Sequence, residues 1–412
     1  MTAGAATLPA QGAGPVLAIA PSVPVWRDGE QLVFDRKFFD GMAVYARLWP
    51  GRVRCLMSQA QAPRPVFGLV ARQPAETPFE CVVRPAGSTI GAEQLQGAAV
   101  LLAAGDVPDQ LGLAARCRQL GVKCVHIIEY TPDIRLTINR LDPVNRLRKA
   151  WRGWRIRREE RQRLAAFALG HGLQVNGTAA WDAYRHFANP LLYFDTRVYR
   201  HQLIEEDALA RRLARLATGQ PLRLAFSGRL IAMKGAEHLM YLAQVLRQRG
   251  VAFHLTVYGD GEQVPFMRDF LARHDLAAQV TLAGAVDFDT ELLPAVQREV
   301  DLFVMLHRQS DPSCTYLETL SCGVPIVGYD NAAFAGILDL ARVGWGAPLD
   351  DFAAVADIIE RLDRDRQAIA QKARAALAFA RHHTFEATFA QRVDQLKALA
   401  SDGTPDAPEA GG

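Results

Sequence analysis

The sequence predicts an α/β protein built from two doubly wound parallel-sheet halves. Three observations carry this. Short apolar runs such as Val16–Ala20 and Leu302–Leu306 alternate with longer stretches of helical spacing along the whole chain. The 412 residues exceed one typical core, so two domains of roughly 150–200 residues are expected. Gly219-Gln-Pro221 then punctuates the middle, and the alternation begins again after it. Strands that alternate with helices imply a mainly parallel sheet in each half.

In the first half, Val16–Ala20 reads as a buried strand, and Pro21–Gly29 with Trp26 as a loop. Asp35–Leu48 sets Phe38, Met42, Tyr45 and Leu48 at helical spacing. Strands follow at Val53–Met57, Cys81–Val83 and Ala98–Ala103, then a helix near Asp109–Leu120 and the strand Lys123–Ile128. An arginine-rich segment precedes a short strand, Gly172–Asn176, and a helix from Thr178 to Phe187. Asn189-Pro190 reads as a break, and Glu205–Leu216 as a connecting helix. These features place a first domain at 15–200 and a connection at 201–220, after a loose tail at 1–14.

The second half repeats the plan more clearly. Strands are expected at Arg223–Ser227, Ala252–Tyr258, Val280–Ala283, Leu302–Leu306 and Pro325–Tyr329. Helices are expected at Ala236–Gln248, Gln263–Ala272, near Thr290–Arg298, Asp351–Asp363, Arg364–Ala380 and Thr384–Leu399. The second domain then spans 221–383, a last helix spans 384–400, and 401–412 is a Pro-, Gly- and Asp-rich disordered tail. Two such halves face each other across a cleft.

Half the residues are hydrophobic and 22% are charged, as in a soluble globular protein. No apolar run is long enough to span a bilayer, and the N-terminal residues lack the pattern of a signal peptide. Cysteines 55, 81, 117, 124, 314 and 322 have neither metal-ligand nor disulfide-framework spacing, so reduced thiols in the cytosol are expected. The net charge is +3, but residues 146–163 hold nine basic and two acidic side chains, a local +7 that leaves −4 elsewhere. A general nucleic-acid-binding surface is therefore not indicated.

The stretch Ser310–Asn331 organises the second half. Asp311 and Pro312 read as N-cap and first residue of a helix, and Gly323 as the residue after it. A helix N-terminus at the end of a parallel strand attracts anions through its free amides and dipole. Glu318 lies six residues past Pro312, roughly 9 Å along such a helix, where a carboxylate accepts ribose hydroxyls while the helix end holds a diphosphate. The competing reading is a surface carboxylate on an ordinary capped helix. At Gly228-Arg229-Leu-Ile-Ala-Met-Lys234-Gly235, glycines permit close backbone approach and two cations can neutralise a diphosphate. The spacing is not that of a Walker A loop. Gly259-Asp260-Gly261 reads as a tight turn.

In joint order, GRLxxxKG, YGDG and DPSxxYLExLSCGVPIVGY resemble the C-terminal domain of retaining family-4 glycosyltransferases of GT-B fold, from about Leu222 to Arg392. The first half matches that family's acceptor-binding domain only in its strand–helix plan. The resemblance implies two Rossmann-like domains facing a cleft, with the last helix packing back toward the N-terminal domain. It implies that Arg229 and Lys234 stabilise the leaving phosphate without a metal ion or other cofactor. Gly228, Ser313, Cys314 and Thr315 would lie against the donor phosphates, and Glu318 would bind the ribose. The family's first motif glutamate falls here at Ser310, with Asp311 one place later as its substitute or as a helix cap. His307 and Arg308 stand where they could reach the sugar or lie in solvent. The family histidine after a central strand corresponds to Glu129, which could orient the sugar or accept the acceptor's proton. His126 reads as a core residue.

Residues 146–163 set Leu147, Trp151 and Trp154 at i, i+4, i+7 among arginines. Such a helix suits an anionic membrane surface, or else packs its tryptophans inward. The expectation is a cytoplasmic enzyme, peripheral on the inner membrane face, that moves a sugar from a nucleotide-diphosphate donor onto a glycan or lipid-linked acceptor with retention. A nucleotide-sugar epimerase and a non-catalytic nucleotide-sugar-binding subunit are the alternatives.

Overall fold

The computed structural model describes residues 14–65, 68–142 and 144–402. Of the two expected tails, 1–13 and 403–412 lie outside the described residues, while Ser401 still ends the last helix. The first half supplies β1 (Val16–Ala20), β2 (Trp26–Asp28), β3 (Gln31–Asp35), β4 (Val53–Ser58), β5 (Leu69–Arg72), β6 (Glu80–Arg84), β7 (Ala98–Ala104), β8 (Lys123–Ile128), β9 (Gly172–Asn176) and β10 (Pro190–Tyr193). Seven of these form one parallel sheet in the order β10-β9-β8-β7-β1-β4-β6. The second half supplies β11 (Leu222–Ser227), β12 (Phe253–Tyr258), β13 (Val280–Gly284), β14 (Leu302–Met305), β15 (Ile326–Tyr329) and β16 (Gly344–Ala347). They form a second parallel sheet, β13-β12-β11-β14-β15-β16. Helices cover both faces, which is why β1, β9, β14 and β15 are buried at every position.

Strand order reverses beside β1 and beside β11. Those are the switch points where open α/β sheets leave a crevice past the carboxyl ends of their strands. The two crevices face each other, and three features hold the halves together. The helix Glu206–Ala217 connects them, with Arg212 buried and donating to the carbonyls of Cys322 and Gly323. The last helix, Phe385–Ser401, returns to bury Phe385, Phe389, Val393 and Leu396 in the first domain's core. Gly41 on the helix Arg36–Leu48 is where Phe389 lies so close that an added Cβ would meet its ring at 2.7 Å. Beside the cleft, the Thr178 hydroxyl donates to the Ala333 carbonyl at 2.9 Å, and Gly336 leaves room for it.

Several expectations need correction. The loop expected at Pro21–Gly29 contains β2, which turns through Gly29 to pair with β3 in a small antiparallel sheet completed by β5. Asn189-Pro190 does mark a turn, with Asn189 at φ +42°, but a strand follows it directly. Pro190 opens β10 at the sheet edge, where the missing amide costs no ladder bond. The helix expected to start at Asp311 is shorter, Thr315–Ser321, and Cys314 stands at its N-terminus without a side-chain cap. Asp311 has a stronger partner elsewhere, as described below. The helices Pro132–Leu141 and Ala332–Leu340 and the strand β16 were not anticipated; the Gly-Trp-Gly-Ala of β16 lacks any alternation.

Residues Arg146–Leu169 form one helix whose Asn145 side chain accepts from the Arg148 amide at 2.8 Å. Its tryptophans do not pack inward: Leu147 is 83%, Trp151 56% and Trp154 53% exposed. The Arg155 and Arg158 guanidinium carbons sit 5.3 and 5.6 Å from the Trp151 and Trp154 ring centroids. Among the described residues no helix is long and apolar enough to cross a membrane.

Candidate active site

The second-domain wall of the cleft is built from backbone loops stitched together at the ends of β11, β12 and β13. Gly228 N–H donates to the Tyr258 carbonyl, Leu230 N–H to Asp260, and Gly259 N–H to Gly284. Gly259 has φ +130°, and an added Cβ would strike the Gly228 carbonyl oxygen. Gly235, at φ +71°, presses likewise on the Leu306 carbonyl. The glycines at these two positions therefore serve loop-on-loop packing. The loops hold Lys234 nearly buried at the start of the helix Ala236–Gln248 and leave Arg229 exposed at the mouth. Arg229 makes no ion pair among the described residues, but its charge reaches Tyr130 across the cleft.

Lys234 Nζ lies 2.8 and 3.1 Å from the two Asp311 carboxylate oxygens, with the side chains only 8% and 15% exposed. This pair explains the late start of the following helix, because the Asp311 carboxylate is directed at Lys234 and not at the helix amides. Ser313 N–H is used by the Asp311 carbonyl, at 2.8 Å. The amides of Cys314 and Thr315 make no hydrogen bond among the described residues. Ser310 faces away from them: its hydroxyl accepts from Ala332 N–H at 3.0 Å. His307 is buried, not solvated, with its Nδ1 unpartnered; burial and then the Lys234 charge hold its pKa well below the usual value. Arg308 is drawn to Asp350 and Glu237. Glu318 is nearly buried, and Oε1 accepts from Arg197 Nε at 2.7 Å.

The first domain contributes the opposite wall. Glu129 follows β8, anchored by its N–H to Asp106 and by Asn176 Nδ2, which donates to Oε1 at 3.1 Å. Burial, and then the Asp195 charge, push its carboxyl up to about 7. A chain of contacts continues from there into the second domain. The Asp195 amide donates to Asn176 Oδ1, Lys37 Nζ stands 2.6 Å from Asp195 Oδ2, and the same Nζ donates to Cys314 Sγ at 3.1 Å. Burial, and then Asp195, push the Cys314 thiol up to about 12, so it is a neutral thiol at pH 7. His126 is a core residue as expected, its pKa lowered to about 4 by burial.

The structure thus brings Arg229, Lys234, Asp311 and Tyr130 to one cleft, with Glu129 behind Tyr130 and Glu318 at the far end of the 311–318 segment. A cavity of about 420 Å³ opens beside Glu129, walled by Val23, Phe38, Met42 and Tyr130. Sequence reasoning missed Lys37, Tyr130, Asp195 and Arg197. Lys37 lay inside the helix read at Asp35–Leu48, and Tyr130 directly after Glu129. Asp195 and Arg197 follow a strand read as a break, so nothing marked them.

This geometry can be set beside known proteins. Residues 221–365 match the family of glycosyl transferases group 1. Over 203 residues the chain is 26% identical to the amylovoran biosynthesis glycosyltransferase AmsK of Erwinia amylovora, covering 43% of this chain and 48% of that protein. The chain thus matches about half the length of that curated relative. Anabaena HepE, solved in complex with UDP, superposes with a TM-score of 0.61 at 14% identity, over 93% of this chain and all of that one. WaaG, a glycosyltransferase involved in lipopolysaccharide biosynthesis, gives 0.58 at 12% identity, over 94% and 100%. The fold is GT-B. The glycosyl transferase match covers the domain that carries Arg229, Lys234, Asp311 and Glu318, and the other domain is shared through the fold.

Proposed function

We propose that this chain is a glycosyltransferase that takes a sugar from a nucleoside-diphosphate donor and places it, with retention, on a hydroxyl of a glycan or lipid-linked glycan. The observation that carries the reading is Lys234 paired with Asp311 at the switch point of a parallel sheet, with Arg229 exposed at the mouth of the same cleft. A diphosphate there takes Lys234 from Asp311 and adds Arg229 and the open amides of Cys314 and Thr315. Charge developing on the leaving phosphate meets donors already in place, so the reading assigns its stabilisation to these groups and needs no metal ion. Glu318 accepts the ribose hydroxyls.

The released Asp311 turns toward the transferred sugar in the role that Ser310, engaged with Ala332, leaves empty. Glu129, with its carboxyl near 7, is poised to hold or take a proton from the acceptor. The cavity beside it is where an acceptor would enter. AmsK is named as a glycosyltransferase of amylovoran biosynthesis and WaaG as one involved in lipopolysaccharide biosynthesis, which supports a glycan product for this chain. HepE binds UDP, which supports a nucleotide-sugar donor.

The reading also places the protein in the cytoplasm against the inner membrane face. The exposed Leu147, Trp151 and Trp154 among arginines suit an anionic lipid surface. The test is a screen of UDP-, GDP- and ADP-sugars with acceptor extracts, reading nucleoside diphosphate release and the product mass. A second reading, a non-catalytic nucleotide-sugar-binding subunit, is favoured by Ser310 in place of the family's glutamate. Tight donor binding without turnover, unchanged in Lys234→Ala, would support it.

A further inference from the structure

We propose that Arg197 is a donor-positioning residue, which acts through Glu318 on the vicinal diol of a nucleoside diphosphate. The inference rests on the donor reading above and deepens it. Arg197 belongs to neither wall of the cleft. It lies in the segment between β10 and the connecting helix, the stretch of chain that leaves the first domain. From there Nε donates to Glu318 Oε1 at 2.7 Å, and the guanidinium carbon sits 4.1 Å from the Phe288 ring centroid. The side chain is half exposed, whereas that of Glu318 is only 7% exposed.

Three physical points follow. A nearly buried carboxylate with no counter-ion would be costly, and one beside a diphosphate would repel it; Arg197 offsets both effects. Its guanidinium, seated on Phe288, holds Glu318 Oε1 through one Nε–H donor, in a rigid geometry that Lys does not reproduce. The remaining oxygen, Oε2, takes no hydrogen bond among the described residues. Glu318 and Phe288 also share a small cavity with Ser227 at the end of β11. One oxygen is therefore held and the other is open, as an acceptor aimed at a diol requires.

The experiment measures binding of uridine, guanosine and adenosine diphosphates and of their 2′,3′-dideoxy counterparts to the full chain and to two variants. In the wild type, loss of the hydroxyls is expected to weaken the preferred diphosphate by about tenfold or more, as for hydrogen bonds to a charged group. In Arg197→Ala the parent nucleotide should bind about tenfold more weakly, and the dideoxy penalty should shrink to within two- to threefold. Arg197→Lys should lie between, and in turnover assays the variants should raise donor KM more than they lower kcat. An unchanged dideoxy penalty in Arg197→Ala would overturn the inference, since a merely structural arginine would leave it intact. Tighter binding by Arg197→Ala would overturn it too, and make Arg197 a competitor for Glu318. If the wild type binds the nucleotides with no dideoxy penalty, this inference fails and the donor site stands. If it binds none of them, the donor reading fails as well.

Discussion

Lys234 and Asp311 form a nearly buried ion pair at 2.8 Å in the middle of the cleft, at the place assigned to the donor diphosphate. Removing one partner of such a pair leaves the other as an uncompensated buried charge, which costs about 3–5 kcal/mol. Asp311→Asn should therefore lower the melting temperature, and a nucleoside diphosphate should restore more stability to this variant than to the wild type. Thermal melts with and without nucleotide check both parts.

Lys234→Ala should cut nucleoside diphosphate release by about 10²–10³ in kcat, the usual cost of removing one preorganised donor from developing charge. Arg229→Ala should have a smaller effect, because Arg229 is exposed at the mouth and its field is screened by solvent. Steady-state kinetics on correctly folded variants read the difference.

Glu129 gives a pH signature with a definite sign. Its folded carboxyl is raised to about 7 from the ordinary 4.5, so between those values the folded chain holds more of this proton than the unfolded chain does. Its contribution to stability is full below about 4.5 and is lost as pH rises through 7, on the order of 3 kcal/mol in all. Glu129→Gln should flatten that slope in denaturant titrations. In turnover assays it should also remove a rate limb that rises with pH through about 7.

Trp151→Ala and Trp154→Ala should change stability by no more than about 0.5 kcal/mol, because both side chains are mostly exposed. The double variant should nevertheless lose co-sedimentation with anionic vesicles while remaining indifferent to neutral ones. Equal binding of wild type and double variant would remove the membrane part of the proposal.

The sequence made the sheets legible because parallel strands buried on both faces show as apolar runs, and β1, β8 and β9 were read with their observed bounds. The helix Ala236–Gln248 was equally plain, with Leu239, Leu242, Ala243 and Leu246 on one buried face. Weak periodicity hid β16, and reading Asn189-Pro190 only as a break hid β10, which begins at that proline on the sheet edge. Within the site, Arg229, Lys234 and Glu318 were legible because they sit in motifs. The partners that hold them were not. Asp311 looked like a helix cap because capping is local, whereas its pairing with Lys234 spans 77 residues and is visible only in the fold. Arg197 and Asp195 reach Glu318 and Lys37 over 121 and 158 residues for the same reason.

The central claim is that a donor diphosphate lies between the Arg229/Lys234 turn and the segment carrying Asp311 and Glu318. Diffraction from crystals soaked with UDP-, GDP- and ADP-sugars tests it most directly. The account predicts phosphorus density within hydrogen-bond reach of Lys234 Nζ, with Asp311 turned away from that lysine and ribose oxygens on Glu318. Density for the nucleotide elsewhere, or a cleft left empty by all three with the Lys234–Asp311 pair intact, would contradict it.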